Sequence, residues 1–135
     1  KLAKEQGMSP EEALGREAEK VPVGSDGLMT VLNWLANVDA RYQKGIMIGF
    51  DGRHTRGHIY RSILEAVAMT IKGHTEDMVN EVGVTLDKII ITGGGSNSDL
   101  FMQIFAESGL NAAPKSPRGI GWGDPNEKEA FHYVW

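Results

Sequence analysis

The sequence predicts an α/β domain in which helices pack against a sheet that includes parallel strands. The first observation is the order of patterns between residues 45 and 106: strand, long helix, strand, glycine-rich turn and helix. The second is size, because 135 residues with 41% hydrophobic content can form one modest core and hardly two. The sequence therefore favours a single domain or part of one.

Composition excludes several classes of protein. A formal net charge of -4 argues against a nucleic-acid partner, because no basic surface is available to replace counterions on phosphates. Cysteine is absent, which excludes disulfides and thiolate metal sites and fits the reducing cytoplasm, where we expect the protein. No apolar run reaches the length of a membrane span, so no membrane partner is expected. Since the chain begins with Lys1, we expect a piece of a longer protein.

A surface helix is predicted at about residues 9–20. Ser9 suits the N-cap, Pro10 the first helical position, and Glu12 stands three residues after the cap, as in a capping box. Half of its side chains are charged, so only one small face should touch the body of the domain. The residues of that face are Ala13, Leu14 and Ala18.

The middle of the chain contains the longest predicted helix. Residues 28–35 are apolar and fit either a strand or a buried helical turn, whereas residues 45–50 predict a short buried strand. A helix is predicted from about residue 55 to residue 82, and Gly83 suits its C-terminal end. Its expected core face, with spacings of three or four, comprises Ile59, Ile63, Val67, Ile71, His74, Met78 and Val82.

A glycine-rich turn follows the next predicted strand. Residues 89–92 are β-branched, three glycines follow, and apolar residues at helical spacing come after them. Glycines permit positive φ and close approach of a ligand, and a helix N-terminus attracts anionic groups. Ser96 or Ser98 could cap this helix, with Asp99 in its first turn. Neither G-x-x-x-x-G-K-[ST] nor G-x-G-x-x-G is matched, so the pattern also fits a plain packing turn.

Two histidines near the long helix invite a metal interpretation. His54 and His58 are four residues apart and could lie on one helical face. The sequence contains no H-E-x-x-H and indicates no third ligand, so packing or capping at the helix start is the favoured role. His74 is predicted to be a hydrogen-bonded core histidine.

Three arginines near the same helix start could bind phosphate. They are Arg53, Arg56 and Arg61. They could equally pair with Glu65 or remain solvated, and solvation is the favoured interpretation for at least two of them. No residue of the chain is identified as a general base, so the sequence pattern predicts no catalytic residue.

Several of these segments together resemble the C-terminal domain of the FGGY carbohydrate kinases. The most specific part is the helix start His54-Thr55-Arg56-Gly57-His58-Ile59-Tyr60-Arg61-Ser62-Ile63-Leu64-Glu65, at its distance from a Thr-Gly-Gly-Gly loop. The other matching parts are Gly27 with Leu28, Ala40 with Arg41, residues 45–50, and residues 92–96 with Ser98. The resemblance covers about residues 21–106.

The resemblance implies an actin-like, ribonuclease-H-like ATPase lobe with a mixed sheet and packed helices, present here as an incomplete domain. It also implies a kinase that transfers the γ-phosphoryl group of ATP to a sugar or polyol hydroxyl with Mg²⁺. By the same resemblance, Gly93, Gly94, Gly95 and Ser98 would border the nucleotide. No catalytic or metal-binding residue is carried over.

The sequence departs from the family pattern in two places. The family's N-terminal lobe, with its Asp-x-Gly-Thr motif and catalytic aspartate, has no counterpart here, so we expect the chain to be inactive alone and Mg²⁺ to bind mainly through that lobe. After residue 106 the family's small-residue helix is not recognisable.

The predicted organisation is a surface helix at 1–20, the nucleotide-binding lobe at 21–106 and a divergent or foreign tail at 107–135. An uncovered lobe surface would favour a homo-oligomer.

Two other classes of protein remain open from the sequence. One is a non-catalytic module with the same actin-like fold, which only an upstream catalytic lobe would distinguish from a kinase. The other is a different α/β nucleotide binder, such as a dinucleotide or methyl-donor domain. That class expects an acidic residue at the end of the next strand, and no such strand can be placed after Gly95 from the sequence.

Overall fold

The computed structural model describes residues 7–34, 38–86 and 88–110, and the backbone of residues 112–113 and 131–133. The chain divides into two compact units, an N-terminal unit, Lys1–Val67, and a C-terminal unit, Ala68–Trp135. None of the helices in the described residues combines the length and apolar character needed to cross a bilayer.

Helix α1, Pro10–Ala18, begins as its sequence predicts. The Glu12 N–H donates to Ser9 Oγ at 3.0 Å, while the Glu12 carboxylate accepts from Arg16. Ala18 is fully buried and anchors the helix. The prediction of a capped surface helix is therefore confirmed, with an end two residues earlier than expected.

Helix α2 comprises Arg56–Val82. Helix α1 packs closely on the first turn of α2, which belongs to the N-terminal unit. Arg56 Nε donates to Glu17 Oε2 at 2.6 Å, and its Nη2 contacts Glu17 Oε1. A Cβ at Gly57 would lie 3.0 Å from the Glu17 carbonyl oxygen. The glycine is therefore needed because the backbones of the two helices nearly touch.

Strands β1, Met29–Val31, and β2, Ile46–Ile48, form an antiparallel two-stranded sheet. The ambiguous segment 28–35 thus contains a strand. The prediction of a buried strand at 45–50 is wrong, because Ile46 and Ile48 are 54% and 57% exposed. The reason is that one face of the sheet is turned toward α2, and the described residues leave the other face open.

The ends of α2 agree with the sequence, but its buried face does not. Gly83 has φ +71° and donates its N–H to the Val79 carbonyl, which ends the helix as predicted. His74 is exposed, so its prediction as a core histidine is wrong. The buried residues on this part of α2 are Ala68, Ile71 and Thr75, at spacings of three and four. His74 lies outside this stripe and is turned toward solvent. Thr75 tolerates burial because its hydroxyl donates to the Ile71 carbonyl at 2.8 Å.

The C-terminal unit contains a parallel sheet with β3, Ile89–Ile91, in its centre. Strands β4, Ala112–Ala113, and β5, Phe131–Tyr133, flank β3, and both run parallel to it. The predicted parallel pairing is confirmed. The sequence allowed no strand to be placed after Gly95, and β4 and β5 correct this, because both take their hydrogen bonds from a strand distant in sequence.

Helix α3, Asp99–Glu107, covers part of this unit's core. Its buried apolar residues are Leu100, Ile104 and Phe105. Most of the predicted divergent tail, residues 107–135, lies outside the described residues, so its assignment stays a prediction.

Candidate functional site

The glycine loop lies at the carboxyl end of β3, which is the edge where parallel sheets hold their ligands. The three residues of β3 are 3%, 7% and 5% exposed, so the loop leaves a fully buried strand. Gly93 follows with φ 99° and ψ −173°, and a short 3₁₀ helix, Gly94–Asn97, comes before α3. The sequence predicts a glycine turn that leads directly into the helix. In the structure the 3₁₀ helix lies between the two.

The three glycines of the loop have different structural roles. Gly93 adopts a backbone conformation that is essentially restricted to glycine. A Cβ at Gly94 would meet nothing within 4 Å, whereas a Cβ at Gly95 would lie 3.1 Å from the Phe101 ring. Gly93 is thus needed for the turn, Gly95 for packing, and Gly94 leaves open space beside the loop.

The serines of the loop orient its backbone. Ser98 is the N-cap of α3, where its Oγ accepts the Phe101 N–H at 3.3 Å. Ser96 Oγ instead donates to the Gly93 carbonyl at 2.7 Å. Of the two capping candidates from the sequence, Ser98 caps the helix and Ser96 closes the glycine turn. Ser98 therefore lies where the helix dipole is positive.

Gly93→Ala is expected to lower the free energy of unfolding by about 2 kcal/mol, because alanine cannot adopt this φ and ψ without strain. Chemical denaturation would measure the loss. Gly94→Ala is the matched control and should be nearly neutral, since its Cβ enters open space at a permitted φ. Equal losses in both variants would show that the conformation of Gly93 is not the cause.

His58 caps the start of α2 and His54 packs just before it, so both have the packing or capping role favoured from the sequence. The His54 and His58 side chains are 1% and 13% exposed. His54 Nδ1 accepts the Asp51 N–H at 2.8 Å, and His58 Nδ1 accepts the Thr55 N–H at 3.1 Å. His58 Nε2 lies 3.1 Å from Asp26 Oδ2. Within the described part of the chain, no group of three potential ligands could hold a metal ion.

The arginines near the same helix are all paired, and two of them, Arg53 and Arg56, keep 72% and 54% of their side chains exposed to solvent, as favoured from the sequence. Each binds a carboxylate, and the pairs are Arg53 with Asp51, Arg56 with Glu17, and Arg61 with Glu65. The hydrogen bonds from Arg53 lower the pKa of Asp51 to about 2. The sequence offered Glu65, four residues after Arg61, as a partner, but it could not indicate Glu17, which is 39 residues from Arg56.

A left-handed turn at residues 24–27 was not predicted from the sequence. Residues 24–27 have φ values of 81°, 49°, 53° and 89°, and two of these residues are not glycine. The Glu65 carboxylate holds the turn by accepting the Gly24 N–H and the Ser25 hydroxyl, both at 3.0 Å. Arg61 Nε donates to the same carboxylate at 2.8 Å. The Gly-Ser-Asp-Gly sequence signalled a turn, but nothing local indicated Glu65 as its partner.

Known structures show which class of protein has this fold. Xylulose kinase from Rhodospirillum rubrum matches with a TM-score of 0.62 and 31% identity, over 70% of this chain and 19% of that protein. Xylulose kinase from Bifidobacterium adolescentis matches with a TM-score of 0.64 and 17% identity, over 82% of this chain and 22% of that one, which shows the fold alone. The fold is that of an actin-like ATPase lobe, as in these sugar kinases.

Sequence comparison gives the family. The profile of the FGGY family of carbohydrate kinases, C-terminal domain, matches residues 27–109. The chain belongs to this family.

Curated relatives include the uncharacterized sugar kinase YgcE of Escherichia coli K12, which is 55% identical over 78% of this chain and 21% of its own length. Xylulose kinase of Bacillus subtilis is 26% identical, over 91% of this chain and 28% of its own length. Glycerol kinase of Deinococcus radiodurans is 35% identical, over 71% of this chain and 19% of its own length. The chain thus spans less than a third of each of these relatives.

Proposed function

We propose that this chain is the nucleotide-binding C-terminal part of an ATP-dependent sugar kinase, whose full length transfers the γ-phosphoryl group of ATP to a sugar or polyol hydroxyl. Membership of the FGGY family supports the reaction class. The observation that carries the nucleotide site is the exposed loop after buried β3, in which Gly94 has open space beside it. A cytoplasmic location is part of the same proposal.

In this proposal Gly93, Gly94, Gly95 and Ser98 border the nucleotide. Gly94 allows close approach because it lacks a side chain, and the capped N-terminus of α3 favours a negatively charged group nearby. Phosphoryl transfer also needs a positioned nucleophile and a metal ion that neutralises charge on the phosphates. We propose that these are supplied mainly by a lobe outside residues 1–135, so that the chain alone binds ATP weakly and does not phosphorylate sugars.

Isothermal titration with ATP and Mg²⁺ tests the site directly. The chain is expected to bind ATP weakly, and Gly94→Val is expected to weaken binding at least about tenfold, or about 1.4 kcal/mol. The physical reason is that the valine side chain would occupy the space that the nucleotide needs. Because no atom beyond the neighbouring backbone lies within 4 Å of that Cβ, the substitution should leave the fold intact.

Gly52→Val is the matched control, since a Cβ at Gly52 also meets nothing within 4 Å and Gly52 lies in the N-terminal unit. This variant should bind ATP as the unchanged chain does. A folded chain that binds no ATP, or equal affinity in Gly94→Val and the unchanged chain, would contradict the proposed nucleotide site.

A further inference from the structure

The sequence contains two Asp-Gly pairs, Asp26-Gly27 and Asp51-Gly52. In such a pair the backbone nitrogen of the glycine is able to attack the carboxyl carbon of the aspartate, because no Cβ on the glycine hinders the approach. The attack closes a five-membered succinimide ring, and water then opens the ring to aspartate or to isoaspartate. The structure places the two pairs in different surroundings, so we expect them to react at different rates.

The fold holds Asp26-Gly27 in a conformation that opposes ring closure. The Gly27 N–H donates to the Gly24 carbonyl at 2.8 Å, so the attacking nitrogen is already hydrogen-bonded. Asp26 has φ 53° and ψ 33°, and its Oδ2 lies 3.1 Å from His58 Nε2. Ring closure at Asp26 would have to break these contacts and the left-handed turn together.

Asp51-Gly52 lies in the exposed loop before α2. Both residues are exposed, and a Cβ at Gly52 would meet nothing beyond the neighbouring backbone within 4 Å. In the part of the chain that the structure describes, no hydrogen bond from the Gly52 N–H is found. The loop therefore leaves the Gly52 nitrogen free to approach the Asp51 carboxyl carbon.

The Asp51 carboxylate is held by Arg53. Its Oδ1 accepts the Arg53 N–H at 2.8 Å, and its Oδ2 accepts from Arg53 Nε at 2.9 Å and from Nη2 at 2.6 Å. His54 also faces this carboxylate, with Nδ1 at 3.3 Å from Oδ1. The hydrogen bonds from Arg53 lower the pKa of Asp51 to about 2. An ionised carboxylate resists attack, because the departing oxygen needs a proton, so these hydrogen bonds slow ring closure.

We propose that Asp51 is a site of spontaneous isoaspartate formation in this chain and that Arg53 restrains the reaction. First the Gly52 nitrogen bonds to Asp51 Cγ of the protonated carboxyl group, the Cγ–OH bond breaks, and the hydroxyl leaves as water with the proton of that nitrogen. Water then adds to the Asp51 backbone carbonyl carbon, the bond from this carbon to the Gly52 nitrogen breaks, and the nitrogen regains a proton. The product has the same atoms as before, and its main chain runs through Cγ. This inference does not depend on the proposed nucleotide site.

The product is expected to loosen the loop that leads into α2. In the unmodified loop the Asp51 N–H donates to His54 Nδ1 at 2.8 Å, and the Arg53 N–H donates to Asp51 Oδ1. Isoaspartate adds a carbon to the main chain between these groups. The two hydrogen bonds then no longer fit the geometry of one tight turn.

Incubation of the folded chain at neutral pH, followed by peptide mapping with mass spectrometry, tests the proposal. Isoaspartate is expected to accumulate at Asp51 and not at Asp26. Arg53→Ala is expected to raise the rate at Asp51 about tenfold, because the pKa of the carboxyl group returns toward its ordinary value and a larger fraction is protonated. Gly52→Val is expected to slow the reaction, because a β-branched side chain hinders the attacking nitrogen.

Arg16→Ala is the matched control for the loss of an exposed arginine. Arg16 is 61% exposed and pairs with Glu12 on α1, so its removal should leave the rate at Asp51 unchanged. In concentrated urea the two Asp-Gly pairs should react at similar rates, because the fold no longer distinguishes them. Labelling by a protein isoaspartyl methyltransferase, which methylates the carboxylate that the second step releases, gives an independent measure of the product.

Three results would overturn the proposal. One is equal accumulation of isoaspartate at Asp26 and Asp51 in the folded chain. Another is a rate at Asp51 that Arg53→Ala leaves unchanged or lowers. The third is the absence of isoaspartate at Asp51 from both the unchanged chain and Arg53→Ala.

Discussion

Glu65→Ala is expected to lower the free energy of unfolding by about 2 to 3 kcal/mol. The Glu65 carboxylate accepts three hydrogen bonds, from the Gly24 N–H, the Ser25 hydroxyl and Arg61 Nε. Ser25 is fully buried and Arg61 is 4% exposed, so water replaces these bonds poorly when the carboxylate is removed. The left-handed turn would also lose the group that holds it against its own strain. Urea denaturation followed by circular dichroism measures the loss.

Glu76→Ala is the control for the loss of a glutamate from the same helix. The Glu76 carboxylate is 60% exposed and lies 3.8 Å from Lys72 Nζ, so its removal should change the free energy of unfolding by less than about 0.5 kcal/mol. Glu65→Gln keeps one acceptor oxygen and should fall between the two. If Glu65→Ala were no more destabilising than Glu76→Ala, the carboxylate would not be what holds the turn.

Phe105→Ala is expected to cost about 3 to 4 kcal/mol of folding stability. Phe105 is 1% exposed and is the largest of the fully buried side chains in the described residues. Its ring packs against Phe101 at a centroid distance of 4.7 Å, so truncation would leave a cavity in the core of the C-terminal unit. Since α3 carries the Ser98 cap beside the glycine loop, loosening this helix should also weaken ATP binding. Chemical denaturation and ATP titration of the same variant check both effects.

Phe50→Ala removes the same side chain from an exposed position and serves as the control. Phe50 is 54% exposed and makes one edge contact, with the His54 ring at 6.0 Å. Its truncation should cost less than about 1.5 kcal/mol. Losses of equal size at the two positions would show that burial in the core is not the source of the effect at Phe105.

Local signals were sufficient for the ends of the helices and for the glycine loop. Ser9 caps α1, Gly83 ends α2 and Ser98 caps α3, because capping depends on side-chain oxygens and backbone angles within a few residues. The strand before the loop and the helix after it were also predicted, from the switch between two hydrophobic periods. The family resemblance needed only the order and spacing of such motifs, and the family profile confirms it.

Three features required the tertiary structure. His74 fits a helical apolar pattern but is exposed, since spacings of three and four are both allowed and only packing selects one. The pair of Arg56 with Glu17 and the link from Glu65 to the left-handed turn join residues far apart in sequence. The different roles of Gly93, Gly94 and Gly95 depend on backbone angles and on the position of the Phe101 ring.

The sequence by itself thus determined the class of fold, the family and the place of the candidate site along the chain, because these depend on local periodicity and motif spacing. The tertiary structure alone decided which surfaces are covered, which distant charges pair and which glycine of the loop has open space beside it. Most of those properties arise from contacts between distant segments, and the free energy of each contact depends on burial that no local pattern contains.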